Sequence, residues 1–178
     1  MAPTVILRQL EEHATASILA AFASTEVPDP ADVRNDHCPE CRETAETFSG
    51  EPWDAITMEK LVASRPSPCL LTAAAFRYYL PALMLRCIEA PVVLDVLPDE
   101  LIGTLSPAGG NPDGASAERW REFTASQVAA ILAFLRVFEM RQRMESGASE
   151  DLLDVARVTK PLARAIRYWT SREAPVAG

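Results

Sequence analysis

The chain has 178 residues, of which 48% are hydrophobic and 24% are charged, and its formal net charge is −8. This size and composition are typical of a globular domain that buries its own core without disulfide or metal staples. The negative charge argues against binding to nucleic acid or to an anionic membrane surface, since both require a basic footprint. It permits a more basic protein as a partner.

No segment of the sequence has the features of a signal peptide or of a membrane span. The apolar run over residues 18–23 is short, and acidic residues precede it where a signal peptide has basic ones. The apolar segment over residues 80–88 is interrupted by Pro81 and Arg86. We therefore expect a cytoplasmic protein that does not enter membranes, and we expect its four cysteines to be reduced thiols there.

The first predicted helix covers residues 4–24, where apolar side chains recur every three or four positions. A loop containing two prolines follows over residues 26–34. We expect a second helix to begin at Asp36, which is a good N-cap residue, and to end at Phe48. Pro39 falls in its first turn, where a missing backbone N–H is harmless.

Two threonines mark the starts of the next helices. Thr57 is the predicted N-cap of a short helix over residues 58–64. Thr72 is the predicted N-cap of a longer one over residues 73–88, which carries a broad apolar stripe at helical spacing. So wide a stripe indicates the central helix of the core, with a kink at Pro81.

The second half of the chain predicts three more helices. A short one lies within residues 92–105, and the glycine- and proline-rich residues 106–116 are expected to form a mobile loop. Long helices follow over residues 124–146 and 149–172, and residues 174–178 are a flexible tail. No set of alternating segments typical of strands is present. The sequence therefore predicts a single all-α domain over the whole chain, a bundle of six or seven helices.

The segment NDHCPECRE, residues 35–43, concentrates chemically active side chains. On a helix, with about 100° between successive residues, His37, Cys38 and Cys41 share one face. Thiolates and an imidazole suit zinc or reduced copper, so these three residues are candidate metal ligands and zinc is a possible cofactor. A closed structural zinc site usually has four ligands, and the sequence offers no second cysteine pair.

Two other interpretations of this segment remain open. A Cys-Pro-x-Cys spacing at the start of a helix is typical of thiol–disulfide exchange, but no preceding strand of a βαβ unit is predicted. Cysteine is also a small, often buried hydrophobe. In that structural interpretation, which we favour, Cys38 and Cys41 face the core while Glu40 faces water.

The segment Arg77, Tyr78 and Tyr79 lies in the predicted central helix and requires polar partners if it is buried. An ion pair between Arg77 and an acid of residues 36–46 is the simplest arrangement, and an anchor for a small molecule or peptide is the alternative. No phosphate-binding glycine loop, zinc-protease motif or nucleophile elbow is present. The sequence therefore leaves open whether the protein is an enzyme.

Several segments resemble an uncharacterised family of small bacterial proteins. They are DHCPEC at residues 36–41, the downstream Trp53 and LTAAAFRYYLPALML at residues 71–85, while residues 126–138 are similar to the closing helix of that family. The resemblance covers residues 33–140 and leaves the first and last predicted helices as extensions. It implies no activity.

The resemblance also implies that the cysteine motif and the Arg77 segment belong to one framework. We therefore expect Asp36, His37 or Glu40 to lie close to Arg77 or to a tyrosine hydroxyl. For function, the sequence favours a binding module, such as an acidic accessory or immunity-type partner of another protein. The alternative is a metal-binding protein or metal-dependent enzyme that uses the cysteine motif, and a thiol redox protein is the third hypothesis.

Overall fold

The computed structural model describes residues 3–33, 35–48, 50–107, 112, 114–146 and 152–173, and it describes their side chains except at residues 115, 146 and 152–159. All regular structure in these ranges is helical. The α-helices are α1 (Pro3–Phe22), α2 (Pro30–Val33), α3 (Pro39–Phe48), α4 (Met58–Ser64), α5 (Ala73–Glu89), α6 (Leu97–Thr104), α7 (Gly114–Trp120), α8 (Ala125–Ser146) and α9 (Leu152–Arg172). Two short 3-10 turns cover Trp53–Ala55 and Pro68–Leu70.

The predicted all-α class is confirmed, and the main helices lie where the apolar periodicity places them. The two helices beyond the expected number are short: α2 lies in the loop over residues 26–34, and α7 begins inside the segment expected to be mobile. Of that segment, residues 108–111 and 113 lie outside the described residues, as does the predicted tail over residues 174–178.

The two predicted threonine caps are confirmed. The hydroxyl of Thr57 accepts the backbone N–H of Lys60 at 3.2 Å, and α4 follows at once. The hydroxyl of Thr72 accepts the backbone N–H of Ala75 at 3.1 Å at the start of α5. Such caps satisfy donors that the first turn of a helix leaves without partners.

The helix α5 lies at the centre of the molecule. Eleven of its 17 residues are buried, among them Pro81, and α1, α6, α7 and α8 all pack on it. Outside it, α1 packs along α8 and α8 along α9, so that one apolar cluster runs from Ala14 to Trp169. Among the described residues, no helix is both long enough and apolar enough to cross a membrane.

Partly buried polar side chains connect these helices. Arg141 of α8 donates to the carbonyl oxygens of Cys87 at 3.2 Å and of Ile88 at 2.6 Å, and it pairs with Glu11 of α1 at 2.8 Å. It thereby satisfies carbonyls at the C-terminal end of α5, where the helix has no internal donors left. Arg141 therefore joins α8 to α1 and to the end of α5.

Candidate functional site

The two cysteines of the motif form a disulfide with each other. The Cα atoms of Cys38 and Cys41 are 5.0 Å apart, and the bond joins the residue before α3 to the first turn of that helix. The expectation that all four cysteines are free thiols is therefore wrong for this pair. The other two are free: Cys69 is exposed and Cys87 is buried in the core.

The start of α3 lies three residues later than the predicted cap. The helix begins at Pro39, so Asp36 is not its N-cap. The physical reason is the proline, which disfavours helical backbone at the residue before it and so keeps Cys38 outside the helix. The sulfur of Cys38 takes the place of a capping oxygen, since it accepts the backbone N–H of Cys41 at 3.0 Å.

The segment before the helix is fixed by its polar side chains. Asn35 donates its side-chain N–H to the carbonyl of Leu70 at 2.5 Å and accepts the backbone N–H of His37 at 3.3 Å. Asp36 forms an ion pair with Arg42 at 3.4 Å. These contacts hold residues 35–37, which precede Cys38, against the 3-10 turn over residues 68–70.

Exposure separates the members of the motif. Cys41 is 6% exposed and faces the core, Cys38 is half-buried, and His37 and Glu40 are exposed. Since His37 and Cys38 both precede the helix, the three predicted ligands do not share one helical face. In the described part of the chain no group of three or more histidine, cysteine or acidic side chains is placed to hold a metal ion. Zinc binding by the reduced motif stays a prediction.

An open cleft of about 550 Å³ separates this segment from the start of α5. One wall carries Asn35, Asp36 and His37, and the other carries Thr72 with Arg119 of α7. The guanidinium of Arg119 is held by the carbonyls of Cys69 and of Leu71, the latter at 3.3 Å. The cleft is therefore polar and has fixed walls on both sides.

The predicted partner of Arg77 is wrong. Arg77 pairs with Glu122 at 2.7 Å and donates to the carbonyl of Glu118 at 3.2 Å, so its partners come from α7 and from the residues directly after it. An acid from residues 36–46 was expected. The carboxylate comes from elsewhere because α7, which sequence reasoning missed, packs beside the first turns of α5.

The cysteine-motif helix and α5 do meet, through the end of α3 that is remote from the cysteines. The hydroxyl of Tyr79 donates towards the carbonyl of Phe48 at 2.5 Å and that of Glu51 at 3.0 Å. The rings of Phe48 and Tyr79 lie 4.7 Å apart, and Tyr78 packs edge-on against Tyr79 at 4.9 Å. Burial, together with the neighbouring Tyr78 and Glu51, raises the pKa of Tyr79 to about 12.

A second feature, which sequence reasoning missed, is a group of exposed valines that we call the valine surface. Its members are Val62 of α4 and, before α6, Val92, Val93 and Val96, with 38%, 91%, 57% and 54% of their surfaces exposed. Three of them, all but Val92, line one narrow groove of about 60 Å³. The available signal was the sequence VVLDVL between Pro91 and Pro98, which packs five apolar residues into six positions.

The floor of the groove is apolar and its rim carries charge. Leu61, Leu94 and Leu97 are buried beneath the valines. Asp95 and Glu100 contribute two negative charges to the lining, and Arg65 contributes one positive charge. Asp95 has a left-handed backbone, with φ of 53°, which aspartate tolerates better than most residues.

Comparison with known proteins identifies a family and no activity. No curated protein and no solved structure matches the chain. Residues 15–173 match a family of unknown function, DUF6714, and this range takes in the C-terminal part of α1 and all of α9 as well as residues 33–140. Because the match covers well over half of the chain, the protein belongs to this family.

Proposed function

We propose that this protein is a helical binding module that docks another protein on the valine surface. The observation that carries the proposal is the groove lined by Val62, Val93 and Val96. Single exposed apolar residues are common on proteins, whereas a contiguous apolar patch with a charged rim is typical of an interaction site. Three valines from two chain segments line the groove, with buried leucines beneath them.

The charge of the module suggests the chemistry of the partner. Asp95 and Glu100 outnumber Arg65 in the groove, and the whole chain carries a net charge of −8. A partner with an apolar side chain flanked by lysine or arginine suits this surface, because opposite charges favour association and disfavour wrong partners. The narrower form of the proposal is an accessory or immunity-type partner of a more basic protein, in the cytoplasm.

Site-specific photo-cross-linking in the cells that make the protein tests this proposal. A photoreactive residue at Val93 should capture one defined partner, whereas the same residue at Val5 should not. Val5 is a matched control because it is 46% exposed but lies on α1, outside the groove. Equal capture at both positions, or capture of no defined partner at Val93, would contradict the proposal.

The captured partner, once purified, permits a measurement of affinity. Burying one valine contributes about 1.5–3 kcal/mol, so Val93→Asp should weaken binding by a factor of roughly 10 to 100. Val5→Asp should bind as the native protein does. A Val93→Asp protein with native affinity would show that the partner docks elsewhere. Thermal unfolding of both variants checks that neither effect arises from loss of the fold.

A further inference from the structure

We propose that Cys38 and Cys41 form a thiol–disulfide exchange site, in which Cys38 is the attacking sulfur and Cys41 the resolving one. The substrate is a disulfide formed between cysteine-containing molecules. This activity is separate from the proposed docking on the valine surface, and either one can fail without the other. Three observations carry the inference: the position of the bond, the unequal exposure of its sulfurs and the hydrogen bond to Cys38.

The bond joins no two elements of the fold. It joins the residue just before α3 to a residue of the first turn, three positions along the chain, so it closes a very short loop. The chain-entropy relation assigns such a loop about 2 kcal/mol, less than half the value for a loop of 100 residues. Four of the five buried residues of α3 follow Cys41 along the helix, among them Ala45 and Phe48. Opening the bond leaves that packing in place.

The two sulfurs are unequally accessible. Cys41 is 6% exposed, whereas Cys38 is half-buried and follows directly on residues that line the open cleft. An incoming disulfide therefore reaches Cys38 first. Cys41 stays beneath it, within bonding distance, and needs no rearrangement of the backbone to attack Cys38 in turn.

The start of the helix favours the thiolate form of Cys38. The backbone N–H of Cys41 points at its sulfur at 3.0 Å, and the first turn of a helix presents partial positive charge. Both effects stabilise a thiolate, which is the form that attacks disulfides. Of the nearby acids, Asp36 is paired with Arg42 at 3.4 Å, and Glu40 is exposed to solvent, which screens its charge.

The exchange proceeds in two steps. The Cys38 thiolate attacks one sulfur of the substrate disulfide, which forms a mixed disulfide and releases the first substrate thiolate. Cys41 then loses its proton to water and attacks the sulfur of Cys38, which breaks the mixed disulfide and releases the second substrate thiolate. Two electrons pass from the dithiol to the substrate, whose two thiolates take up two protons. A small thiol of the glutathione class reduces the Cys38–Cys41 bond again by the reverse steps.

Reaction of the reduced full-length protein with glutathione disulfide, followed by mass spectrometry, tests the inference. A Cys69→Ser background removes the exposed third cysteine, and Cys87 is buried. This protein should form the Cys38–Cys41 bond and release two glutathione molecules per chain. The added Cys41→Ser change should stop the reaction with one glutathione on residue 38. The added Cys38→Ser change should slow capture at least about tenfold, because Cys41 is shielded.

Several results would overturn the inference. They are no internal disulfide in the background protein, no adduct in the Cys41→Ser variant, or equally fast capture after Cys38→Ser. Alkylation of the reduced native protein avoids all substitutions: Cys38 should react faster than the exposed Cys69, and the reverse order would count against the site. A disulfide-linked peptide in place of glutathione disulfide separates a polypeptide from a small-molecule substrate. Oxidation by either supports the site, and oxidation by neither refutes it.

Discussion

Two helix ends in this protein each carry a cysteine, and they are held in opposite ways. At the C-terminal end of α5, Cys87 is fully buried, and its carbonyl accepts a hydrogen bond from Arg141. Burial raises the pKa of the Cys87 thiol, since an apolar environment penalises the thiolate. At the N-terminal end of α3, Cys38 is half-buried and accepts a backbone N–H.

The difference shows that position decides what a cysteine can do. Inside the core, Cys87 serves as a small hydrophobic residue. The polar interactions at that helix end are made by Arg141, which bonds the helix carbonyls and Glu11. At the start of α3, the sulfur itself is the polar group. We expect changes at the buried end to affect stability strongly, and changes at the cysteine motif to affect reactivity more than stability.

The largest expected effect follows from Arg141→Met. This change leaves Glu11 and the carbonyls of Cys87 and Ile88 without their shared donor, and the side chains of Arg141 and Glu11 are only 15% and 30% exposed. We expect a loss of about 2–4 kcal/mol in the free energy of unfolding, measured with urea.

Arg8→Met is the matched control for that measurement. Arg8 pairs with Glu12 at 3.0 Å, but their side chains are 80% and 64% exposed. Exposed pairs contribute about 0–1 kcal/mol, so this variant should be close to native. Similar losses of stability in the two variants would show that burial of the Arg141 pair does not matter. They would contradict the expectation that changes at the C-terminal end of α5 affect stability strongly.

A smaller effect is expected from opening the Cys38–Cys41 bond. Reductant should lower the free energy of unfolding of the Cys69→Ser protein by about 2 kcal/mol or less, because the closed loop is short. A Cys38→Ser, Cys41→Ser double variant should not respond to reductant at all. Unfolding of the protein on reduction alone would show that the bond is a structural staple, and it would remove the basis for exchange without loss of the fold.

Much of the fold was predictable because apolar periodicity and cap residues are local signals. The central helix at residues 73–88 and the caps at Thr57 and Thr72 follow from the sequence alone. The helix α7 does not, since it starts within a glycine- and proline-rich segment whose local preferences favour a loop. It is stabilised by tertiary contacts: Trp120 is fully buried, and α7 packs on α5.

The composition of the sequence predicted where the candidate site lies, but it did not predict how the residues of the site are arranged. The density of His37, Cys38 and Cys41 in one segment identified it. Their mutual arrangement depends on Pro39, which delays the helix and leaves His37 outside it. The partners of Arg77 lie in α7 and directly after it, so no local sequence pattern could have predicted them. Tertiary placement of short elements is the information that periodicity lacks.

The smallest expected effect, and the one that sharpens the link between α3 and α5, comes from Tyr79→Phe. Loss of the hydroxyl leaves the carbonyls of Phe48 and Glu51 without this donor, at a cost of about 1 kcal/mol near neutral pH.

The effect of Tyr79→Phe should depend on pH. The pKa of Tyr79 is raised by burial from 10 to about 12, so the folded protein retains the phenol proton at a pH where the unfolded chain releases it. The native protein therefore loses stability between pH 10 and about 12, and its advantage over the variant should shrink and then reverse across that window, because two pKa units correspond to more than the advantage itself. Other tyrosines are common to both proteins and cancel in the comparison. The free energies of unfolding of the two proteins are measured with urea from pH 9 to pH 12. A difference that stays constant over this range would show that the Tyr79 proton does not contribute to stability, and so that its hydrogen bonds to α3 and to Glu51 do not connect the helices.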